Sequence, residues 1–151
     1  MNTITRVAIT IECIHGPQWK QPIIVWNTDQ YTHTSSLFKD STFEFNYARP
    51  DGDHAIEFSF VNKTNEDSGA EGDMALIIKD ISINGISDVD LFNHTTYTPD
   101  YPEPWLSQQE PKPKSVLHGH RYLGWNGTWR FDFSTPAYQW LHQAKQLGWT
   151  Y

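Results

Sequence analysis

Apolar and polar residues alternate with period two through most of the chain, in short runs separated by turn residues, which is the mark of half-buried β-strands. Val7, Ile9, Ile11 and Cys13 share one face of a first strand, which His15-Gly16-Pro17 breaks. A second run, PIIVWN from Pro22, is almost wholly apolar, and Phe43, Phe45 and Tyr47 alternate with Thr42, Glu44 and Asn46 in a third. The stretch ARPDGD around Pro50 and Gly52 has turn chemistry, so the third strand is expected to form a hairpin with the fourth. That fourth strand, HAIEFSFVN, places Ile56, Phe58 and Phe60 on one face and Glu57 and Ser59 on the other. In MALIIKDISINGI, Leu76 and Ile78 alternate up to Lys79-Asp80, after which Ile81 and Ile83 resume one position out of phase. One inserted residue is what a β-bulge adds, and Asn84-Gly85 then offers a turn.

From Phe92 to Pro113 the periodicity fades and five of the nine prolines gather. Proline removes a backbone donor and fixes φ, so residues 92–113 are expected to be an extended surface arm rather than a sheet strand, pinned by Tyr97, Tyr101 and Trp105. Regularity returns at GTWRFDFS, where Trp129, Phe131 and Phe133 alternate with Arg130 and Asp132. Ser134-Thr135-Pro136 then reads as a helix start, Ala137, Trp140, Leu141, Ala144 and Leu147 follow at helical spacing, and Gly148 ends it. The expected architecture is one all-β domain over residues 1–151, an antiparallel β-sandwich or jelly roll closed by a short C-terminal helix over 135–147.

Composition sharpens this picture. The 151 residues are 15% aromatic, which favours a ring-rich sheet core. A net charge of −7 without any basic run excludes a nucleic-acid binder that tracks phosphates. Cys13 is the sole cysteine, so no internal disulfide forms, and its alternation with Ile9 and Ile11 reads as a buried thiol. The first residues, MNTITRVAITIE, lack the continuous apolar stretch of a signal peptide or membrane span, so synthesis in a cytoplasm and no membrane insertion are expected. The N-x-T sequons at Asn62, Asn93 and Asn126 then read as chance matches.

Three stretches are candidates for chemistry. The loop after Val61 carries Glu66, Asp67, Glu71 and Asp73 beside Asn62 and Asn65. Calcium takes six to eight oxygens from such groups, but the spacing is not that of an EF-hand, and a solvated connection between strands is the alternative. His118 and His120 flank Gly119 without further zinc ligands at suitable spacing, and His15, His54 and His94 read as solvent-facing residues beside turns. Asn126-Gly127 reads as a tight turn bracketed by Trp125 and Trp129. Rings so placed stack on sugars or anchor protein interfaces, unless they pack on the core under the arm. Tyr97, Tyr101, Trp105, Trp125 and Trp129 are therefore the candidate glycan- or partner-binding residues. For catalysis, Glu57, Glu103 and Asp132 offer carboxylates, but nothing singles out a pair, and no G-x-S-x-G, P-loop or H-E-x-x-H is present, so no enzyme is expected.

Two resemblances extend these readings. Across residues 56–86, a strand ending in Val61-Asn62, an acidic Gly-containing loop, an Asp before an alternating strand and Ile83-Asn84-Gly85 resemble calcium-dependent carbohydrate-binding modules of the xylan-binding sandwich type. In that family an Asn-Asp pair and the Asp heading the second strand ligate the ion, which contacts sugar hydroxyls. The resemblance implies Ca2+ held by Asn62 and Asp73; because Lys63 stands where the family has Asp, Glu66 or Asp67 would complete the set. The second covers PDYPEPWLSQQ from Pro99 and YLGWNGTWRFDFSTPAYQWL from Tyr122, which resemble small proteins encoded by tailed bacteriophages of marine and cyanobacterial hosts. It implies a non-enzymatic structural or adhesion protein of the virion, in the head decoration, tail, baseplate or fibres, whose partners are other virion proteins or further copies of itself. A calcium-dependent module that recognises host-surface glycans is the alternative, and a small glycan-active enzyme the third.

Overall fold

The structure, a computed structural model, describes residues 4–28, 32–47, 52–69, 72–135, 137 and 140–141. Its strands in chain order are β1 (Thr5–Ile14), β2 (Ile23–Thr28), β3 (Thr32–Ser36), β4 (Ser41–Tyr47), β5 (Gly52–Phe60), β6 (Ser68–Gly69) and β7 (Gly72–Asp73). There follow β8 (Ala75–Ile83), β9 (Ile86–Ser87), β10 (Thr95–Pro99), β11 (Leu117–His118), β12 (Tyr122–Leu123) and β13 (Gly127–Thr135). One antiparallel sheet has the order β12-β8-β1-β4, with β9 also paired to β8; the other has the order β11-β10-β13-β5-β2-β3. The protein is an all-β sandwich. Among the described residues, no helix is long and apolar enough to cross a membrane.

The alternation read from the sequence is what fills the space between the sheets. Val7, Ile9 and Ile11 from β1, Ile56, Phe58 and Phe60 from β5, and Trp129, Phe131 and Phe133 from β13 are all buried. Trp26 joins the layers: its ring lies 4.9 Å from each of Phe43 and Phe45 in one sheet and 4.9 Å from Phe58 in its own. Tyr47 makes the same kind of cross-layer contact with Phe133, at 5.2 Å and nearly edge-on. The bulge forms where the phase changes. Thr10 pairs with Asp80 and Ile11 with Ile78, so Lys79 is the extra residue, and both Ile78 and Ile81 stay buried on either side of it. Asn84 and Gly85 take φ of 51° and 82°, the left-handed pair of a two-residue hairpin, and Ile83 faces Ile86 across it.

Four expectations are corrected. β4 and β5 do not form a hairpin: β4 pairs with β1 while β5 pairs with β2 and β13, so the chain crosses between sheets there. Alternation specifies that a strand has a buried face, not which neighbour it pairs with. The arm begins later than residue 92, because Val89–His94 is a 3-10 turn and Thr95–Pro99 is a strand paired with β13. Its β-branched threonines and Tyr97 outweigh the prolines, and Pro99 ends the pairing. His54 is buried rather than solvent-facing, its ring 4.9 Å from Tyr47 and 5.2 Å from Phe133, with Nε2 3.1 Å from the Thr135 hydroxyl. Asn126 and Gly127 make no left-handed turn, for neither takes positive φ, and Gly127 already belongs to β13.

Thr135 is the last residue of β13, so the helix does not include it. Ala137, Trp140 and Leu141 are helical, with Ala137 and Leu141 buried and Trp140 packed edge-on against Phe131 and Phe133. The rest of the expected 135–147 helix lies outside the described residues.

The registers gather the connections that matter at one end of the sandwich. Ile14, the last residue of β1, faces Ala75, the first of β8; Phe60, the last of β5, faces Gly127 and Ile24. Pro99, the last of β10, faces Gly127 from the other side. The segments 15–22, 61–69, 72–74, 100–116 and 124–126 therefore emerge together.

Candidate functional site

The acidic loop is organised around lysines. Asn62 uses its whole amide on the backbone of the β2 approach: Oδ1 accepts from Ile23 N–H at 2.8 Å and Nδ2 donates to the Gln21 carbonyl at 2.9 Å. Asp67 is buried and accepts from Lys20 Nζ at 2.7 Å and from the Thr64 N–H and hydroxyl at 2.7 and 3.1 Å. Burial works to raise its pKa, but Lys20 and the Thr64 bonds outweigh that and hold the carboxyl below its usual value. Asp73 is paired with Lys63 Nζ and accepts from the Tyr122 hydroxyl at 3.0 Å. Lys63 is buried; its ammonium also donates to the Gly124 carbonyl and lies 5.4 Å over the Trp125 ring.

This arrangement does not fit a calcium ion. Asn62, Asp67 and Asp73 are turned to separate partners, Glu66 is exposed, and an ammonium stands where a further carboxylate would be needed. Among the described residues no three His, Cys, Asp or Glu side chains converge on one point. Glu71 lies outside the described residues. Lys63 is the residue that organises the loop.

Beside this loop lies a groove of 470 Å³. Tyr97 and Pro99 from β10, Tyr101, Pro102 and Trp105 from the arm, and Tyr122 and Trp125 from the approach to β13 form its walls, with Asn65, Leu117, His120 and Gly124 between them. Several contacts hold these rings in place. The Tyr97 hydroxyl donates to the Trp125 carbonyl, His120 stacks parallel to Tyr97 at 6.0 Å, and Tyr101 packs on Trp105 at 5.3 Å. Tyr101 also donates to the Lys114 carbonyl at 3.0 Å, which ties the two halves of the arm together. Asn126 clasps Lys63 from both sides, accepting its N–H and donating to its carbonyl, each at 2.8 Å. Gly127 is needed for close approach: a Cβ there would stand 2.5 Å from the Thr98 carbonyl and 2.7 Å from Pro99 Cα.

The structure therefore brings Tyr97, Tyr101, Trp105 and Trp125 to one place. Trp129, the fifth candidate ring, is corrected: it is fully buried on the inward face of β13, 5.4 Å from Phe58, and reaches no surface. The strict Trp129, Phe131, Phe133 alternation was the signal for this. Tyr122 was missed. It is 41% exposed and faces out where its neighbour Leu123 faces in, a two-residue alternation too short to stand out. Burial, then its bond to Asp73, pushes the Tyr122 phenol up, and burial pushes the Tyr97 phenol far above its usual value.

Chemically, the groove offers ring faces, proline edges and a few hydroxyl and amide groups. No carboxylate and no lysine or arginine lines it among the described residues. Such a surface can stack on apolar faces of a ligand. Compared with protein-family models, with curated proteins and with solved structures, the chain matches none.

Proposed function

We propose that the protein is a non-enzymatic adhesion module whose groove binds an uncharged glycan by ring stacking, without calcium, and that it is carried on the particle of a tailed phage. The single observation that carries the binding reading is the set of rings lining one open groove, with Trp105 42% and Tyr122 41% exposed. Sugars present flat C–H faces that aromatic rings cover, and binding sites for them combine such faces with a few oriented polar groups. The absence of lysine and arginine among the described lining residues, together with the net charge of −7, favours neutral over acidic chains. The virion placement rests on the resemblance of residues 99–109 and 122–141 to phage-encoded proteins.

Retention of the purified chain on immobilised neutral polysaccharides tests the binding reading, with Trp105→Ala and Trp125→Ala as controls. Retention lost in both variants, with an unchanged melting temperature for Trp105→Ala, is the expected result; no retention of the parent chain on any neutral or host-derived glycan overturns it. Mass spectrometry of purified particles tests the placement, and absence of the chain from them removes it.

A further inference from the structure

The loop between β1 and β2 holds an exposed indole in a costly backbone conformation. Gln18 and Trp19 both take left-handed φ, 59° and 62°, which for non-glycine residues costs of the order of 1–3 kcal/mol each and persists only where the surroundings impose it. The surroundings do impose it. Gly16 N–H donates to the Lys20 carbonyl at 2.9 Å, closing the loop, and Lys20 is fixed to the buried Asp67. Gly16 itself is buried, so close to Met74 that a Cβ would stand 3.2 Å from the Met74 Cβ. The product is Trp19, 78% exposed, its ring 5.2 Å from His15. A loop that spends strain to hold its largest apolar side chain in water reads as a recognition element, since neither core packing nor solubility gains from it.

The occupant is argued from the chain itself. Trp19 and the aromatic groove emerge at the same end of the sandwich, on either side of the acidic loop. In a chain of charge −7 the contact itself is uncharged: no carboxylate, lysine or arginine lines the groove among the described residues, Trp19 is an uncharged ring, and Asp67 and Asp73 of the loop between them are matched by Lys20 and Lys63. The groove, at 470 Å³, has room for an indole. A knob and a matching recess on one end permit an isologous pair, in which each copy gives and receives the same contact and the assembly closes.

We propose that two copies of this chain associate end to end by a two-fold, Trp19 of each entering the aromatic groove of the other. Two rings and their rims make a small interface, so the pair is weak, with dissociation in the micromolar to millimolar range. The groove is thereby self-covered when no ligand is present, and a glycan that fills it separates the copies.

Sedimentation velocity on the full chain, from about 10 μM to about 1 mM to span that affinity range, reads the equilibrium. The parent is expected to shift from monomer to dimer across this range. Trp19→Gly should stay monomeric throughout while melting no lower than the parent, because glycine takes positive φ freely. Trp105→Ala should also stay largely monomeric. A mixture of the two variants restores one of the two contacts and should associate more than either variant alone but less than the parent. A parent that is monomeric at every concentration overturns the inference, as does unchanged dimerisation of Trp19→Gly. Trp19→Gly should still be retained on glycan if the functional reading holds. Dimerisation that persists while glycan retention fails keeps this inference and removes that reading.

Discussion

The Lys63 ammonium is buried to 1% side-chain exposure against an Asp73 that is itself 45% exposed, so the two members of one ion pair stand in different solvents. The lysine depends on the pair; the aspartate does not.

That asymmetry sets the first prediction. Asp73→Ala leaves a buried ammonium with the Gly124 carbonyl and the Trp125 face and no carboxylate, and should cost about 2–3 kcal/mol, somewhat under the range for fully buried pairs. Lys63→Met releases an aspartate that water can solvate and should cost about 1 kcal/mol. Chemical denaturation of both variants and of the double variant checks this, with the double close to Lys63→Met alone rather than to the sum. Equal costs for the two single variants would contradict the account.

Core and groove tryptophans should separate cleanly. Trp129→Ala removes a fully buried ring and should lower stability by about 3–5 kcal/mol, whereas Trp105→Ala should change it little and abolish retention on glycan, and Trp125→Ala should abolish retention with a modest loss of stability because its ring covers the Lys63 ammonium. Trp129→Phe should be much milder than Trp129→Ala, because the buried Trp129 Nε1 has no hydrogen-bond partner among the described residues. Thermal melts beside affinity electrophoresis read both arms.

Gly127→Ala should destabilise by about 3 kcal/mol or more, since the new methyl meets the β10 backbone, which cannot swing aside as a side chain would. The loss should appear as weakened protection of β10 and β13 amides in hydrogen exchange. Gly85→Ala, whose Cβ meets nothing within 4 Å, should cost less, and only through its φ of +82°.

The pH profile should fall at both ends for known reasons. Tyr97 and Tyr122 are held protonated in the fold, so the unfolded chain ionises first and stability drops as pH rises above the ordinary tyrosine value of 10.0. Asp67 is held ionised, so its contribution is complete above its ordinary 3.8 and is lost as pH falls through the lower folded value. Lys20→Met should weaken the acid-side dependence and leave the alkaline side unchanged. Adding calcium or a chelator should move the melting temperature of none of these proteins.

The sandwich was legible in the chain because burial on one face writes itself as period two. Ile11, Ile56, Phe58 and Phe131 all sit where alternation puts them, and even the bulge at Lys79 shows as a slip of phase. Pairing partners are set by long-range packing, and so β4 was assigned to the wrong sheet neighbour. β10 was hidden by the prolines that follow it, though its own residues are good strand formers. At the site, four rings were identifiable because Tyr and Trp near turns are conspicuous. Tyr122 was not, and neither was Trp19, whose exposure depends on backbone angles that composition does not encode. The carboxylates were visible, but their counter-ions come from Lys20, 47 positions before Asp67, and from a lysine that looked like a defect.

The gathering of segments 15–22, 61–69, 72–74, 100–116 and 124–126 at one end has a consequence for descent. Core positions are constrained by the opposite sheet, so they drift slowly, whereas these excursions answer to whatever they touch. Lineages sharing this framework can exchange what they recognise by altering the rim alone, and their sequences should diverge first and furthest at that end.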